Sequence, residues 1–284
     1  MVTWSDVQIR RLRELGAPLS EQQTSFDNIE VRDAEYQRIE KSLVTLRRIH
    51  IRGLQAQDSR SRIFGLTDKL IESLQSHGFT QVVTPTLMSR ALLEKMSIHE
   101  KHPLNKQIFW VDKKHCLRPM LAPHLYSLLR DLTRLWEKPI RIFEIGSCFR
   151  KETRGSQHSA EFTMLNLVEL GLPRQRCLER IEQLAALVLE AANVNDFWLE
   201  RQQSAVYGHT VDILSRSPRN GKEKIELGSG ATGPHALDRN WQITEPWAGI
   251  GFGIERLMMV AHNSDSLGQW GRSLRYIDGV SLRI

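Results

Sequence analysis

Two neighbouring segments of the chain carry side chains that could bind a nucleotide, at every second position. Successive side chains of a strand point to opposite faces of a sheet, so alternate residues share one surface. If the segments pair as a hairpin across residues 153–160, an arginine, a glutamate, an aromatic ring and an asparagine gather together. Arginine suits phosphate, a carboxylate can accept from an exocyclic amine, and an aromatic ring can stack on a base. The alternative is a solvent-exposed face with a salt bridge. The two sets are Gly146, Cys148, Arg150 and Glu152, and Phe162, Met164, Asn166 and Val168.

A third segment, residues 246–259, has one face that is almost free of side chains. Its odd positions are Trp247, Gly249, Gly251 and Gly253, whereas its even positions are apolar. Three glycines weaken a strand, so something is expected to approach the backbone closely there. A flat ligand is the simplest candidate, and packing of another backbone is the alternative. Arg256 follows at the start of a helix and brings a cation to the bare face.

Other nucleotide and metal motifs do not hold in this sequence. No GxxxxGK[ST] motif is present. Residues 228–233 read GxGxxG, but Pro234 follows at once and no βαβ pattern surrounds them, so we interpret this match as chance. His99 and His102 do not form an HExxH motif and are interpreted as exposed histidines. The cysteines lie far apart and are expected to be buried thiols rather than a disulfide framework.

The elements that must position these residues are strands joined by hairpins, with helices set apart. Such a pattern predicts an α+β fold with an antiparallel sheet flanked by helices. Residues 215–223 are polar and basic and are predicted to form a surface loop. Helices are predicted over residues 64–78, 122–136, 178–192 and 255–261, and strands over 80–84, 140–152, 161–170, 208–214, 224–227 and 246–254.

Residues 1–62 have helical patterning and are predicted to form an appendage, with a helix starting near residue 33 and the main domain over residues 63–284. The stretch from Lys41 to Arg62 is strongly basic, against the single acid Asp58. Either a solvated helix face or a contact with RNA explains this charge. The net charge of +6 permits a polyanionic partner. No long apolar run or export signal is present, so the cytoplasm is the expected location.

Three segments in register resemble the class II aminoacyl-tRNA synthetases. They are a helix and strand ending at a proline, residues 70–85; an Arg-x-Glu strand-loop-strand, residues 143–162; and a glycine-rich strand entering a helix through an arginine, residues 249–257. The closer resemblance is to the pyrrolysyl-tRNA synthetases and covers almost the whole chain. The chain resembles their short form, which lacks a separate N-terminal tRNA-binding domain. The stretches that carry it are residues 117–126, 138–152, 161–166, 206–208 and 249–256.

The resemblance implies which residues bind ATP. By it, Arg150 holds the α-phosphate, Glu152 the adenine amine and His158 the phosphate tail, while Phe162 and Arg256 sandwich the adenine ring. Arg150, Glu152 and Arg256 are thereby the expected catalytic residues. Mg²⁺ is the implied metal, since it binds phosphates with few protein ligands. The further residues of the implied ATP site are Met164 and Leu227, with Glu226 and Ser229 also contacting Mg²⁺.

The resemblance also implies an amino-acid pocket for a long, partly apolar side chain that ends in a ring. Asn166 can donate to a side-chain carbonyl, and Tyr207 caps the ring from a mobile loop. Leucines at helical spacing could equally be ordinary core residues. The implied pocket residues are Leu121, Ala122, Leu125, Tyr126, Leu129, Asn166, Val168, Tyr207, Ala231, Trp247 and Gly249.

The implied function is ATP-dependent activation of pyrrolysine, or of bulky lysine analogues, and transfer to an amber-suppressor tRNA. A homodimer through the segment ending at Pro85 is also implied. The alternatives are a class II synthetase for a phenylalanine-like amino acid and a catalytically silent RNA-binding relative. Three departures from the family pattern are His209, which is expected to alter closure of the Tyr207 loop, and His124 and the longer loop 215–223, which are expected to affect surface contacts.

Overall fold

The computed structural model of the chain describes residues 1–56, 60–151, 159–218, 223–264 and 266–284. The α-helices are α1 Asp6–Glu14, α2 Leu19–Gln22, α3 Ile29–Ala56, α4 Arg62–Ser76, α5 Arg90–Lys95, α6 Ala122–Leu132, α7 Cys177–Ala191 and α8 Ile254–Ala261. Short 3₁₀ helices cover Pro103–Gln107, Arg174–Arg176, Ala236–Trp241 and Leu267–Gln269. The strands are β1 Val2–Thr3, β2 Ser25–Phe26, β3 Thr80–Gln81, β4 Leu87–Ser89, β5 His115–Leu117, β6 Ile140–Phe149, β7 Glu161–Leu170, β8 Phe197–Ser204, β9 Gly208–Arg216, β10 Lys224–Thr232, β11 Trp247–Gly253, β12 Tyr276–Ile277 and β13 Val280–Ser281.

The described residues form a seven-stranded sheet in the order β3-β6-β7-β11-β10-β9-β8. The α+β class with an antiparallel sheet flanked by helices is confirmed, and the sheet departs from antiparallel pairing at one edge. There β3 runs parallel to β6, with Thr80 opposite Ile142. A parallel pair requires a long crossover, and the chain between the two strands supplies one that contains α5 and α6.

One face of the sheet is covered by α4, α7 and α8. Leu70 on α4 and Leu184 on α7 are fully buried there with Leu167 on β7 and Ile250 on β11. Since the side chains of a strand alternate, the residues on either side of these positions point to the opposite face. The even positions of β11 therefore belong to the core, as the sequence pattern predicts.

The opposite face is only partly covered. Helix α6 and the 3₁₀ helix Ala236–Trp241 pack over one end, where Leu125 and Trp241 are buried with Val168 and Trp247. The other end stays open above β7, β10 and β11, and the β8–β9 hairpin forms its side wall. The fold thus leaves a cavity over the glycine face of β11.

The first 56 residues form a helical extension with a small core of its own, in which Trp4 and Leu12 pack with Leu43 of α3. Helix α3 begins earlier than predicted, because the Asn28 side chain accepts from the Val31 backbone N–H at 2.9 Å and caps the helix. A boundary between domains at residue 62 stays a prediction. Within the described ranges, no helix has both the length and the apolar character that a membrane span requires.

Several element boundaries differ from the sequence predictions. Strand β8 was not predicted, and β10 continues to Thr232 instead of ending near residue 227. Residues 215 and 216 belong to β9, and Ser217 is buried, so only part of the predicted surface loop 215–223 is a loop. His124, expected at the surface, is buried in α6. The three cysteines are free and buried, as predicted.

Candidate active site

The floor of the cavity is the paired surface of β7 and β11. Gly249 lies opposite Val168, Gly251 opposite Asn166, and Gly253 opposite Met164. A side chain at Gly251 would meet the Met164 methyl group at 3.2 Å, so glycine keeps the floor flat. The cavity has a volume of about 480 Å³, which is the size of a small-molecule site.

The predicted hairpin of β6 and β7 is formed, with Cys148 opposite Phe162. The pairing continues one residue beyond β6, where the Arg150 N–H donates to the Ala160 carbonyl at 3.0 Å. Of the four residues predicted to share the β6 face, only Arg150 lines the cavity; Glu152 lies outside the described residues. Cys148 is fully buried, and burial raises the pKa of its thiol to about 12.

Arg118 explains why the rest of the β6 face is closed. Its guanidinium lies on Gly146, where a Cβ atom would overlap it. It pairs with the buried Glu144 carboxylate at 2.7 Å, and that carboxylate also accepts from the Thr84 hydroxyl at 2.6 Å. A buried charge needs a partner of this kind. The pair ties the segment around Pro85 to β6 and leaves Arg150 at the cavity edge.

Two arginines and the Phe162 ring frame the open end of the cavity. The Arg150 guanidinium lies 5.2 Å from the centre of the Phe162 ring, and its Nε donates to the Pro119 carbonyl at 2.9 Å. Arg256, in the first turn of α8, donates to the Glu226 carbonyl at 2.8 Å. The predicted ATP-site residues that line this end are Arg150, Phe162, Met164, Glu226, Leu227, Ser229 and Arg256. His158, like Glu152, lies outside the described residues.

The covered end of the cavity has aliphatic and aromatic walls. Asn166 donates through Nδ2 to the Ile250 carbonyl at 2.8 Å, and Tyr207 lies in the turn between β8 and β9. Leu121 is the one predicted pocket residue that does not line the cavity, because it precedes α6 and is fully buried. The predicted residues that do line it are Ala122, Leu125, Tyr126, Leu129, Asn166, Val168, Tyr207, Ala231, Trp247 and Gly249.

The family model described as "tRNA synthetases class II core domain (F)" matches residues 49–275. The chain belongs to the class II aminoacyl-tRNA synthetases. Two structures of pyrrolysyl-tRNA synthetase from Desulfitobacterium hafniense are similar to it over 99% of its length. One has 48% sequence identity, a TM-score of 0.88 and 99% of its own chain covered. The other has 47% identity, a TM-score of 0.86 and 96% covered. The resemblance to pyrrolysyl-tRNA synthetases is therefore confirmed.

More distant synthetases share less of the chain. A prolyl-tRNA synthetase from Giardia lamblia, solved with prolyl-adenylate, has a TM-score of 0.59 at 14% identity, covering 69% of this chain and 45% of its own. That similarity shows the fold alone. A threonine–tRNA ligase from Anaplasma marginale (strain Florida) is 36% identical over 85 residues, which are 29% of this chain and 13% of that protein. This chain thus spans only a small part of the length of that relative.

Several polar residues that line the cavity of this synthetase were missed in the sequence, among them Asp212 and Thr210. Asp212 lines the cavity and accepts from the Ser229 hydroxyl at 2.7 Å. Thr210 also lines it, so the alternation of β9 is a signal that could have revealed both residues. The walls that desolvate Glu226, together with Asp212, raise the pKa of Glu226, whereas Arg256 lowers it. Half of the Glu226 side chain is still exposed.

The departures from the family pattern have different surroundings in this synthetase. His209 is exposed, and its Nδ1 lies 2.9 Å from the amide nitrogen of Gln203 on β8. It does not line the cavity. Burial and the Arg118 charge lower the pKa of His124, which favours its neutral form. His209 therefore contacts the β8–β9 hairpin that carries Tyr207. His124 instead belongs to the buried packing around α6.

Proposed function

We propose that this chain is a pyrrolysine–tRNA ligase, which activates pyrrolysine or a bulky lysine analogue with ATP and transfers it to an amber-suppressor tRNA. The observation that carries the proposal is one continuous cavity with two unlike ends. The open end has arginines, an aromatic ring and a bare glycine floor. The covered end has mainly apolar walls and the Asn166 amide. Similarity to pyrrolysyl-tRNA synthetase over 99% of the chain supports this assignment of the two ends.

At the open end, ATP lies between Phe162 and Arg256, which sandwich the adenine ring. Both residues line the cavity edge, and a guanidinium plane and an aromatic ring stack well on a base. Arg150 binds the α-phosphate. We assign the adenine amine to Glu152 and the phosphate tail to His158 by resemblance alone. Met164 and Leu227 supply apolar contacts beside the nucleotide.

The donor set at this end fits Mg²⁺. Glu226 offers a half-exposed carboxylate, and Ser229 a hydroxyl that lies 2.7 Å from the Asp212 carboxylate. These are hard oxygen donors, and Mg²⁺ takes few protein ligands because it keeps water and phosphate oxygens. When bound, the ion neutralises charge on the departing pyrophosphate. Glu226 and Ser229 would hold it, and a nearby cation would favour the ionised form of Glu226.

The first reaction needs positioning and charge stabilisation more than proton transfer. The amino-acid carboxylate is ionised at neutral pH, so one of its oxygens can bond directly to the α-phosphorus. The bond from that phosphorus to the pyrophosphate oxygen breaks, and pyrophosphate leaves with the electron pair. Arg150 and Arg256 offset the charge that develops on the phosphate oxygens. The flat floor aligns carboxylate and phosphate in line.

In the second reaction a hydroxyl oxygen of the terminal tRNA ribose bonds to the aminoacyl carbonyl carbon. The bond from that carbon to the phosphate oxygen breaks, AMP leaves with the electron pair, and the hydroxyl proton passes to the released phosphate or to water. The side chain of the amino acid stays in the covered end throughout. There Leu125, Leu129 and Trp247 bury its ring, and Asn166 donates to its side-chain carbonyl. Tyr207 closes over the ring from the β8–β9 turn. The remaining walls are Ala122, Tyr126, Val168, Ala231 and Gly249.

The extension, residues 1–62, is proposed to contact tRNA. On α3, Arg48 and Arg52 are exposed, whereas Arg47 donates to the Leu15 carbonyl at 2.8 Å and supports the extension itself. The exposed arginines are therefore the better candidates for phosphate contacts. Charge at these positions would add a salt-dependent part to the affinity. The cytoplasm, where charged tRNA is consumed, is the proposed location.

A homodimer through the segment around Pro85 is also proposed. Val83 and Leu87 are 87% and 52% exposed there, although both are apolar. Thr84 is anchored by Glu144, so Val83 is held facing outwards. Exposed apolar side chains on a rigid segment are typical of an interface.

Charging of tRNA tests the proposed function. The purified chain is incubated with ATP, pyrrolysine and amber-suppressor tRNA, and the charged fraction is measured on an acid gel. We expect charging that requires both ATP and pyrrolysine and that is lost in Arg150→Ala. Charging with phenylalanine but not with pyrrolysine would contradict the proposal, as would a chain that binds tRNA without charging it.

A further inference from the structure

Asp238 is a buried carboxylate directly behind the covered end of the cavity. It lies in the 3₁₀ helix Ala236–Trp241, is 1% exposed and does not line the cavity itself. Its Oδ2 accepts from the Trp247 indole N–H at 2.9 Å and from the His235 backbone N–H at 2.6 Å. Its Oδ1 has no hydrogen-bond partner among the described residues. Both well-formed hydrogen bonds therefore fall on Oδ2. Desolvation raises the pKa of Asp238, and the Tyr126 side chain, which also interacts with the carboxylate, acts to lower it.

The Trp247 ring is confined on several sides. A Cβ atom at Gly233 would overlap the indole nitrogen, so the backbone there packs against the ring. Tyr126 meets the ring edge-on, with centroids 5.7 Å apart and planes at 87°. Tyr207 lies 6.4 Å away at 71°. The indole therefore contacts two further cavity residues, Tyr126 and Tyr207.

The two tyrosine hydroxyls lie within the influence of the same carboxylate. Desolvation is the largest cause that raises the pKa of Tyr207, and the Asp238 charge adds to it. Burial raises the pKa of Tyr126 most, and Tyr207 and Asp238 contribute. Both hydroxyls therefore stay protonated and can donate. The Tyr126 hydroxyl itself has no well-formed hydrogen bond within the part of the chain that the structure describes.

Burial of a carboxylate at such a position costs free energy, so its presence calls for an explanation. Transfer of a charge into an apolar cluster is unfavourable, and desolvation raises the pKa of Asp238. The His235 backbone N–H alone could be accepted by a neutral side chain such as glutamine, which also serves at this third position of a capping box. Beyond this, Asp238 interacts with the Tyr126 side chain and accepts the bond from the Trp247 indole. That bond joins the helix behind the cavity to the ring that forms its wall.

We propose that Asp238 is a positioning residue for the amino-acid site: it fixes the Trp247 indole and, through the indole, the wall formed with Tyr126 and Tyr207. It thereby determines which side-chain ends the covered end accepts, although it does not touch the substrate. This inference rests on the proposed function of the cavity. It assigns to Asp238 an effect on amino-acid binding and none on ATP binding.

The first test separates the two substrates. In pyrophosphate exchange, Asp238→Ala should raise KM for the amino acid about tenfold, the size expected for loss of one buried hydrogen bond to a charged group. KM for ATP should stay within about twofold, since the nucleotide end is remote from the change. Asp238→Asn should restore most of the amino-acid affinity, because its carbonyl can accept from the indole. If Asp238→Ala does not fold, Asp238→Ser is measured instead. Its hydroxyl oxygen is one bond closer to the backbone than the carboxylate oxygens of Asp238.

The matched control is Glu169→Gln. Glu169 is also 1% exposed and bonded, to Arg141 and Arg180, but it lies on the sheet face away from the cavity. This variant should be destabilised without a change in either KM. An amino-acid KM that is unchanged in Asp238→Ala, or that rises together with KM for ATP, would overturn the proposal. An equal rise in Glu169→Gln would overturn it too.

A spectroscopic measurement makes the inference independent of activity. In ¹⁵N-labelled protein, the Trp247 indole resonance is assigned by its loss in Trp247→Phe. That resonance should move and exchange faster with solvent in Asp238→Ala, and stay near its original position in Asp238→Asn. An unmoved resonance in Asp238→Ala would contradict the role of Asp238. A wild-type protein with this resonance but no exchange with pyrrolysine would instead contradict the proposed function.

Discussion

Asn166 on β7 donates through Nδ2 to the carbonyl oxygen of Ile250 on the neighbouring β11, at 2.8 Å. This bond uses one of the two amide N–H groups and fixes the plane of the side chain. The second N–H and the carbonyl oxygen remain for a ligand in the cavity. The strand pair thus orients the Asn166 amide at the covered end of the cavity.

The first prediction concerns that amide. Asn166→Ala should lower kcat/KM for pyrrolysine by roughly tenfold or more, because the side-chain carbonyl of the bound pyrrolysine loses its hydrogen-bond donor. The loss should be much smaller for an analogue whose side-chain carbonyl is replaced by a methylene group. Asn240→Ala is the control, because Asn240 also donates to a backbone carbonyl, at Lys95, but outside the cavity. Equal losses for both substrates would remove Asn166 from its proposed role.

The second prediction concerns tRNA and the extension. Arg48→Glu should weaken tRNA binding and reduce the slope of log K against log salt by about one. Its melting temperature should stay close to that of the wild type, because Arg48 is exposed. Arg134→Glu, at a site on the catalytic body that is 74% exposed, is the control for charge reversal alone. Fluorescence anisotropy over a salt series measures both the affinity for tRNA and its salt dependence. An unchanged affinity of Arg48→Glu for tRNA would mean that the basic residues of α3 form an ordinary solvated face.

The third prediction concerns the contact between the extension and the C-terminal hairpin. Asp278, between β12 and β13, accepts from Arg62 Nε at 2.7 Å and from the Ser61 hydroxyl at 3.1 Å. Burial raises the pKa of Asp278, but the bonds from Arg62 outweigh it and the net shift is downwards from 3.8. The resulting stability is fully present above pH 3.8 and is lost as the pH falls through the lower pKa of the folded state.

Asp278→Asn should therefore reduce the free energy of unfolding by roughly 1–3 kcal/mol at neutral pH. The difference from the wild type should shrink below pH 4, as the wild-type carboxyl is protonated. Urea unfolding at several pH values measures this. Asp196→Asn is the control, because its pair with Arg216 is exposed and exposed pairs contribute little. A difference that is constant with pH would refute the electrostatic explanation.

The fourth prediction concerns the homodimer. Val83→Asp should convert a dimer into a monomer in light scattering, because a charge would be buried in an apolar interface. Leu274→Asp is the control, since Leu274 is 98% exposed and distant in sequence from the Pro85 segment. If the Val83→Asp protein stays dimeric, the dimer interface does not include the segment around Pro85.

Local patterns carried much of the fold. The alternation of residues 246–254 correctly predicted which face of β11 is bare and which is core, because a strand with one buried face must alternate. The β6–β7 hairpin was predicted from alternation as well, and α7 from helical periodicity. Strand β8 was missed because its second half, residues 200–204, is polar and mostly exposed. The end of β10 was missed because Gly228 and Gly230 are poor strand formers that the neighbouring strands hold in place.

Contacts between distant elements could not be predicted from patterns. The bond from Trp247 to Asp238 joins a strand to a helix behind the cavity, and nothing in the local sequence indicates it. Arg47 belongs to the basic stretch from Lys41 to Arg62, but it folds back on the Leu15 carbonyl of the same extension. Leu121 was assigned to the pocket with Leu125, yet the backbone turn before α6 directs it into the core. Each outcome depends on how elements pack.

The most direct test of the central claim is pyrophosphate exchange into ATP, run with pyrrolysine and with phenylalanine. Exchange measures activation alone, so it does not depend on the tRNA supplied. We predict exchange with pyrrolysine at a kcat/KM at least about a hundredfold above that for phenylalanine, from burial of the longer side chain and the Asn166 bond together. Arg150→Ala should abolish the signal. Exchange with phenylalanine but not with pyrrolysine would contradict the account. The absence of exchange with either amino acid would contradict it too.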